Sequence, residues 1–337
     1  RAGVEVILVS SGAVASGRSV LEPRVGRIDT VSARQLFSAV GQVKLLNRYY
    51  DLFNEYGIAC GQVLTTKESL STRRQYLNQR NCMEAMLAAG VVPIVNENDT
   101  VSVSELKFGD NDCLASLLVN LIGADLYINL TSAPGVYAAN PQEVPDAGIL
   151  ECVEDVAGLD LGRMCGGKTS VGTGGMYSKL QAARRAAQLG VPTLILPGRE
   201  ADVLARAFAG EAVGTWVRPE EHAIPRRKFW LAYQSDPAGT VLVDAGAAEA
   251  LLSKGSSLLP GGVRQVLGNF QKGALVRVAR LGESDSHASL GVGLSNYSAA
   301  DLRKIMGLRR HEVAAILGDA HYPEVIHRDN LLMDAAI

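Results

Sequence analysis

Over its first two thirds the chain alternates between short β-branched runs and longer segments whose apolar residues return every three or four positions. That rhythm narrows the possible folds. Each short run predicts a buried strand and each longer segment a helix with one apolar face, and successive units of this kind close into a mainly parallel sheet sandwiched by helices. Residues 4–9 open the series as a strand that ends in Ser10-Ser11-Gly12. Residues 32–56 predict a helix whose buried face is Leu36, Val40, Val43, Leu46, Tyr50 and Phe53, ended by Gly57. Strands over 58–64, 91–95, 126–130 and 191–196 then alternate with helices over 73–89, 112–122, 176–189 and 202–208. The expected class is α/β, with ligand-binding residues in the loops at the carboxyl ends of the strands.

The rhythm breaks between Pro219 and Pro237, where charges, Phe229, Trp230 and three prolines crowd together. This predicts a linker over 219–238 between a larger domain, 1–218, and a smaller one, 239–337. In the smaller domain, glycine-punctuated β-like runs at 240–243, 263–267 and 275–279 and a helix at 247–252 predict a small β-barrel-like fold. The 33 basic and 35 acidic residues leave a net charge of -2, so no general attraction to nucleic acid or anionic lipid is expected and any anion site must be local. Five widely spaced cysteines without a CxxC pair argue against a disulfide framework or zinc site and favour a reducing cytoplasm. No apolar run reaches the roughly 20 residues that span a bilayer, so no membrane partner is expected. The start, Arg1-Ala2-Gly3, lacks an initiator methionine, and the expectation is that the true N-terminus lies upstream.

Three segments carry candidate chemistry. Ser10 to Arg18 follows the opening strand with small residues whose backbone N–H groups can hold a carboxylate or phosphate, with Ser11 adding a hydroxyl donor; a plain tight turn explains the segment equally well. Asn96-Glu97-Asn98-Asp99 and Lys107-Phe108-Gly109-Asp110-Asn111-Asp112 place acids and amides in two consecutive loops. A zwitterion needs acceptors for its ammonium and donors for its carboxylates: Asp99 suits the first and Asn111 offers both, while the alternative is that Asn and Asp are simply common in turns and caps, with Asp110 or Asp112 starting the helix that follows. Thr173-Gly174-Gly175-Met176-Tyr177-Ser178-Lys179 opens a helix with a glycine-rich turn, a cradle for a nucleotide phosphate, and Lys179 one turn in can reach a transferring phosphoryl group. The alternative is a surface lysine on a glycine-capped helix.

Taken together, the stretches SSGAVASGR, VNENDTVS, KFGDNDCLA, TSAPGVYAANP and GTGGMYSKLQAA, in this order, resemble the amino-acid kinase family in its glutamate-phosphorylating branch. GSSLLPGGV, GNFQKGALVRV, NYSAADLRKIMG and VIHRDN resemble the PUA domain that follows it in bacterial members. The resemblance implies ATP-dependent phosphorylation of the glutamate γ-carboxylate, the first step toward proline, in the cytoplasm. It implies that Ser11, Asp99 and Asn111 bind glutamate, that Thr131, Ser132, Thr173, Gly174, Gly175, Met176, Tyr177, Ser178 and Lys179 bind ATP, that Asp112 organises the catalytic lysines, and that Lys179 stabilises the transition state. It further implies Mg2+ bridging the phosphates, a homo-oligomer, and proline as feedback inhibitor. RNA binding by the PUA domain is disfavoured by the ten basic and ten acidic residues of 239–337.

Two departures accompany the resemblance. The family's first strand and its Lys-x-Gly-Ser/Thr loop are not in this sequence, which implies little activity for these residues by themselves, and Ser132 stands where the family usually has Asp. A kinase for acetylglutamate or aspartate, or an inactive scaffold with a regulatory or RNA-binding role, are the competing expectations.

Overall fold

The computed structural model describes residues 3–21, 30–102, 110–165, 175–233, 237–282, 288–318 and 322–333. The chain divides into two compact units, Arg1–Ala223 and Ile224–Ile337. The first unit runs β1 (Leu8–Val9), α1 (Ala13–Leu21), α2 (Thr30–Asn54), β2 (Cys60–Thr65), α3 (Lys67–Ser71), α4 (Arg73–Ala88), β3 (Val92–Glu97), α5 (Asn111–Ile122) and β4 (Tyr127–Thr131). It continues through β5 (Val136–Tyr137), β6 (Ile149–Leu150), β7 (Cys152–Val153), α6 (Leu161–Met164), α7 (Met176–Gln188), β8 (Thr193–Pro197), α8 (Val203–Phe208) and β9 (Thr215–Val217).

Its described strands form two principal sheets: β1-β3-β2, wholly parallel, and β4-β8-β9-β7, in which β8 and β9 are antiparallel and the other pairs parallel. β3 is buried along nearly its whole length, as a strand covered on both faces must be. Helix α5 packs on strands of both sheets, and Val9 of β1 and Tyr127 of β4 share one apolar cluster with Ala115, Val119, Ala182, Ala186 and Val191. An α/β sandwich is thus present.

Helix α2 forms over the predicted span, but its inward face is not the predicted one. Leu36, Val43 and Tyr50 are exposed, whereas Ser38 and Gln42 are buried. Packing against α1 sets the rotation. At Gly41 an added Cβ would overlap the Ala13 carbonyl, and at Gly17 it would overlap the Phe37 carbonyl, so the two backbones meet where neither helix has a side chain. Gly41→Ala is therefore expected to destabilise the fold by about 2 kcal/mol, because backbone must move and the better helix propensity of Ala offsets only part of the cost. Thermal melting tests this: an unchanged Tm would show that α1 and α2 are not in such close contact.

The second unit contains α9 (Arg226–Tyr233), β10 (Gly239–Val243), α10 (Ala245–Lys254), β11 (Val263–Gly268), β12 (Leu275–Arg280), β13 (Ala288–Leu294), α11 (Ala299–Ile305), α12 (Arg310–Leu317) and β14 (Leu331–Met333). The strands form one mixed sheet, β11-β10-β12-β13-β14, over a core that includes Val241, Val243, Leu251, Phe270, Val276 and Ile305. The stretch predicted as a linker carries helix α9 instead. Phe229 and Leu231 are fully buried, and the helix packs on β13 and β14, which is why aromatics sit among its charges.

Candidate active site

The start of α5 organises the site. Asp110 is its N-cap: the side chain accepts a hydrogen bond from the Cys113 N–H at 2.8 Å, satisfying one of the helix's unpaired donors, and Gly123 in the left-handed region ends the helix. This places Asn111 and Asp112 in the first turn, one residue apart and therefore about 100° apart around the helix axis. Each side chain faces a different cluster.

Asn111 turns toward the ends of β1 and β3. Its Nδ2 lies 3.0 Å from the Ser10 carbonyl oxygen, 2.8 Å from Ser11 Oγ and 3.0 Å from Asn96 Oδ1. Asn96, buried at the end of β3, donates to Gln42 Oε1 at 3.0 Å, and Asp99 accepts from Arg34 Nε at 3.1 Å and Ser38 Oγ at 3.3 Å. Tyr49 reaches Ser10 Oγ at 2.7 Å. Arg34, Ser38, Gln42 and Tyr49 thus form a polar stripe along α2, at spacings of four, four and seven, that lines the end of β3 with Asn96 and the loops carrying Ser11 and Asp99. The arrangement offers a buried carboxylate, amide donors and acceptors, and a hydroxyl in one place, as a zwitterionic amino acid requires.

Asp112 turns toward β4 and α7. Lys179 Nζ donates to its Oδ1 at 3.1 Å and its Oδ2 at 3.0 Å, Ser178 Oγ donates to Oδ2 at 2.8 Å, and Asn129 Nδ2 donates to Oδ1 at 2.7 Å. Asn129 also donates to the Tyr127 hydroxyl at 2.9 Å. Burial, reinforced by the neighbouring Asp112, pushes the Tyr127 phenol far above its ordinary value, so this hydroxyl stays protonated. Asp112 and Lys179 are both mostly buried, and the donors that converge on the carboxylate fix where the ammonium stands. Ser178→Ala removes one of these donors and is expected to lower kcat about tenfold, the equivalent of one charge-assisted hydrogen bond. Steady-state kinetics would show it, and an unchanged kcat would mean that Lys179 is positioned without Ser178.

Of the other residues singled out from sequence, Gly175 caps α7 at φ 130 with no side-chain cap bond, so its neighbouring N–H groups are not closed off by a side chain. An added Cβ there meets nothing within 4 Å, although φ disfavours any other residue. Met176 packs partly on the core beneath α7, and Tyr177 is exposed. Thr131 closes β4, where its carbonyl accepts from Gly198 N–H at 2.8 Å, and Ser132 is exposed in the following turn. Thr173 and Gly174, like Lys107 to Gly109, lie outside the described residues. Sequence reasoning singled out neither Arg34, Ser38 and Gln42 nor Asn129 and Tyr127. Polar residues at i, i+4 and i+8 of α2 were the available signal for the first group.

The amino acid kinase family profile matches residues 1–197, and the PUA domain profile matches residues 239–317. A glutamate 5-kinase of Nitratidesulfovibrio vulgaris is 63% identical over 99% of this chain and 87% of its own length. One of Oleidesulfovibrio alaskensis is 60% identical over the same shares, and one of Pelobacter propionicus 44% identical over 99% of this chain and 88% of its own. Matches of this extent establish that the chain, with its carboxylate-anchored lysine at the mouth of α7 and a polar cluster one residue away on α5, belongs to the amino acid kinase family, among the glutamate 5-kinases.

Proposed function

We propose that this chain transfers the terminal phosphoryl group of ATP to the side-chain carboxylate of L-glutamate, giving L-glutamyl 5-phosphate and ADP, the step that commits glutamate toward proline. The observation that carries the reading is the start of α5, where Asn111 serves the amino-acid cluster and Asp112 serves the lysine. Glutamate binds with its ammonium toward Asp99 and its polar ends against Asn111 and Ser11. The triphosphate lies at the N-terminus of α7, where the uncapped N–H groups after Gly175 favour anionic oxygens. Thr131 and Ser132, with the run from Thr173 to Tyr177, complete the nucleotide site.

A carboxylate oxygen of glutamate then forms a bond to the γ-phosphorus while the bond from that phosphorus to the β–γ bridging oxygen breaks, and ADP leaves with the electron pair. A carboxylate is already deprotonated at neutral pH, so no general base is needed and catalysis consists of alignment and charge neutralisation. Lys179, held by Asp112, supplies the neutralising charge on the transferring oxygens.

Magnesium belongs to the same reading. Among the described residues no three His, Cys, Asp or Glu side chains cluster as metal ligands, and Asp112 is engaged by Lys179, Ser178 and Asn129. The ion would therefore be held chiefly by phosphate oxygens and water, as Mg2+ commonly is, where it would shield their charge. No described helix is long and apolar enough to cross a membrane, and a cytoplasmic location is the reading that suits free glutamate and ATP. Homo-oligomeric assembly and feedback by proline follow from the family likeness and are checked by sizing chromatography and by proline titration. RNA binding by residues 239–337 is not favoured, given their ten basic and ten acidic side chains.

A panel of glutamate, aspartate and N-acetylglutamate in an ADP-release assay tests the proposal. Glutamate is expected to give the highest kcat/KM by a wide margin; turnover of N-acetylglutamate without glutamate would overturn it.

A further inference from the structure

The Arg34–Asp99 pair has a free side. Among the described residues, Asp99 accepts only from Arg34 Nε and Ser38 Oγ, leaving about two of the four lone-pair positions of a carboxylate open. Arg34 spends one N–H of its five on this bond, and no partner is bonded to its terminal nitrogens among the described residues. Asp99 is buried, with 8% of its side chain exposed, whereas the Arg34 side chain is 38% exposed and reachable. An acceptor and a planar fork of donors therefore stand side by side. An amino acid presents the complementary pair, an ammonium and a carboxylate carried on one carbon.

Resting on the glutamate reading above, we propose that Arg34 is a specificity-determining residue: its terminal N–H groups bind the α-carboxylate of the substrate while Asp99 takes the adjacent α-ammonium. Arg34 thereby offsets the repulsion between the substrate's α-carboxylate and Asp99, which an unpaired Asp99 would not allow. A substrate acylated at nitrogen brings an amide in place of the ammonium, so the lone-pair positions of Asp99 not used by Arg34 and Ser38 lose their cationic partner and the substrate is disfavoured. A lysine at this position keeps the charge on Asp99 but lacks the second arm of the fork.

The competing reading makes Arg34 a purely structural clamp on the loop after β3, alongside Gln35, which donates to the Thr100 carbonyl at 3.1 Å. The two differ in how they respond to the substrate's α-carboxylate. Steady-state kinetics of the enzyme, Arg34→Gln and Arg34→Lys would be measured with glutamate and with isoglutamine, which carries a neutral amide in place of the α-carboxylate and keeps the reacting side-chain carboxylate.

For glutamate, Arg34→Gln is expected to raise KM about 30-fold with kcat changed less than about threefold, and Arg34→Lys to lie between. For isoglutamine the unaltered enzyme already shows the raised KM, and neither substitution raises it further, as a double-mutant cycle on one contact requires. Equal KM penalties on both substrates, or none on glutamate, would overturn the assignment in favour of a structural clamp. Failure of the unaltered enzyme to phosphorylate glutamate would instead sink the function on which the assignment rests.

Discussion

Lys179→Ala lowers kcat about a thousandfold and leaves KM for glutamate within a few-fold, if the charge of this residue is used mainly in the transition state. The ammonium is fixed by both oxygens of Asp112, and Asp112 is fixed in turn by Ser178 and Asn129, so the charge is aimed before substrate arrives. No reorganisation is then needed at the moment of transfer, which is what makes such a group effective. Lys179 belongs to the α7 side of α5, whereas the amino-acid cluster belongs to the β1 and β3 side, so glutamate affinity has no reason to fall with it. Asp112→Asn should produce a similar kcat defect, because it frees the ammonium from its anchor without removing it. Single-turnover kinetics would distinguish a slowed chemical step from slowed product release, and a Lys179→Ala enzyme with kcat near that of the unaltered protein would remove this residue from the mechanism.

Asp99→Asn is expected to act in the opposite kinetic sense, raising KM for glutamate about a hundredfold with a smaller change in kcat. Asp99 is the buried carboxylate of the amino-acid cluster, and truncating one partner of a desolvated charge pair typically costs 2–5 kcal/mol, of order a hundredfold in affinity. The substitution also leaves Arg34 facing a neutral amide, so a positive charge replaces a balanced pair at the point where the substrate ammonium must approach. Glutamate titration by calorimetry provides a check independent of turnover: affinity should fall by the same factor, and unaltered affinity would show that the ammonium binds elsewhere.

Much of this fold is legible in the sequence because strand and helix periods are strong local signals. Residues 91–95 and 112–122 differ from their observed elements, Val92–Glu97 and Asn111–Ile122, by no more than two residues at either end. The face of α2 was not legible, because its apolar residues surround the helix and its inward stripe is polar. Only the contacts to Asn96 and Asp99 reveal that burying Ser38 and Gln42 costs little. Helix α1 was hidden for a related reason. SSGAVASGR resembles a glycine-rich turn, yet Gly17 is where α2 approaches too closely for any side chain. Strand β13 was similarly masked by Gly291 and Gly293, where an added Cβ would collide with the backbone of the neighbouring strand β14 or its approach.

The candidate site was legible in part. Asp99, Asn111, Asp112 and Lys179 stand out as acids, an amide and a lysine in a loop at a strand end or in the first turn of a helix, and three of these four share the start of α5 or bond directly to it. Arg34 and Asn129 were not, since an arginine on a helix and an asparagine within a strand carry no local sign of the partners that tertiary packing brings to them. Why Ser132 stands where the family usually has Asp is explained by nothing in the structure.

On the proposed reaction, α7 and Lys179 deliver the terminal phosphate of ATP to a carboxylate held on the far side of Asn111 and Asp112. A crystal structure with glutamate and a non-hydrolysable ATP analogue tests it most directly. The triphosphate is expected at the N-terminus of α7, its γ-phosphate within hydrogen-bond reach of Lys179 Nζ, and the glutamate side-chain carboxylate facing that phosphorus from beside Asn111. A triphosphate bound away from α7, or a glutamate whose ammonium does not meet Asp99, would contradict it.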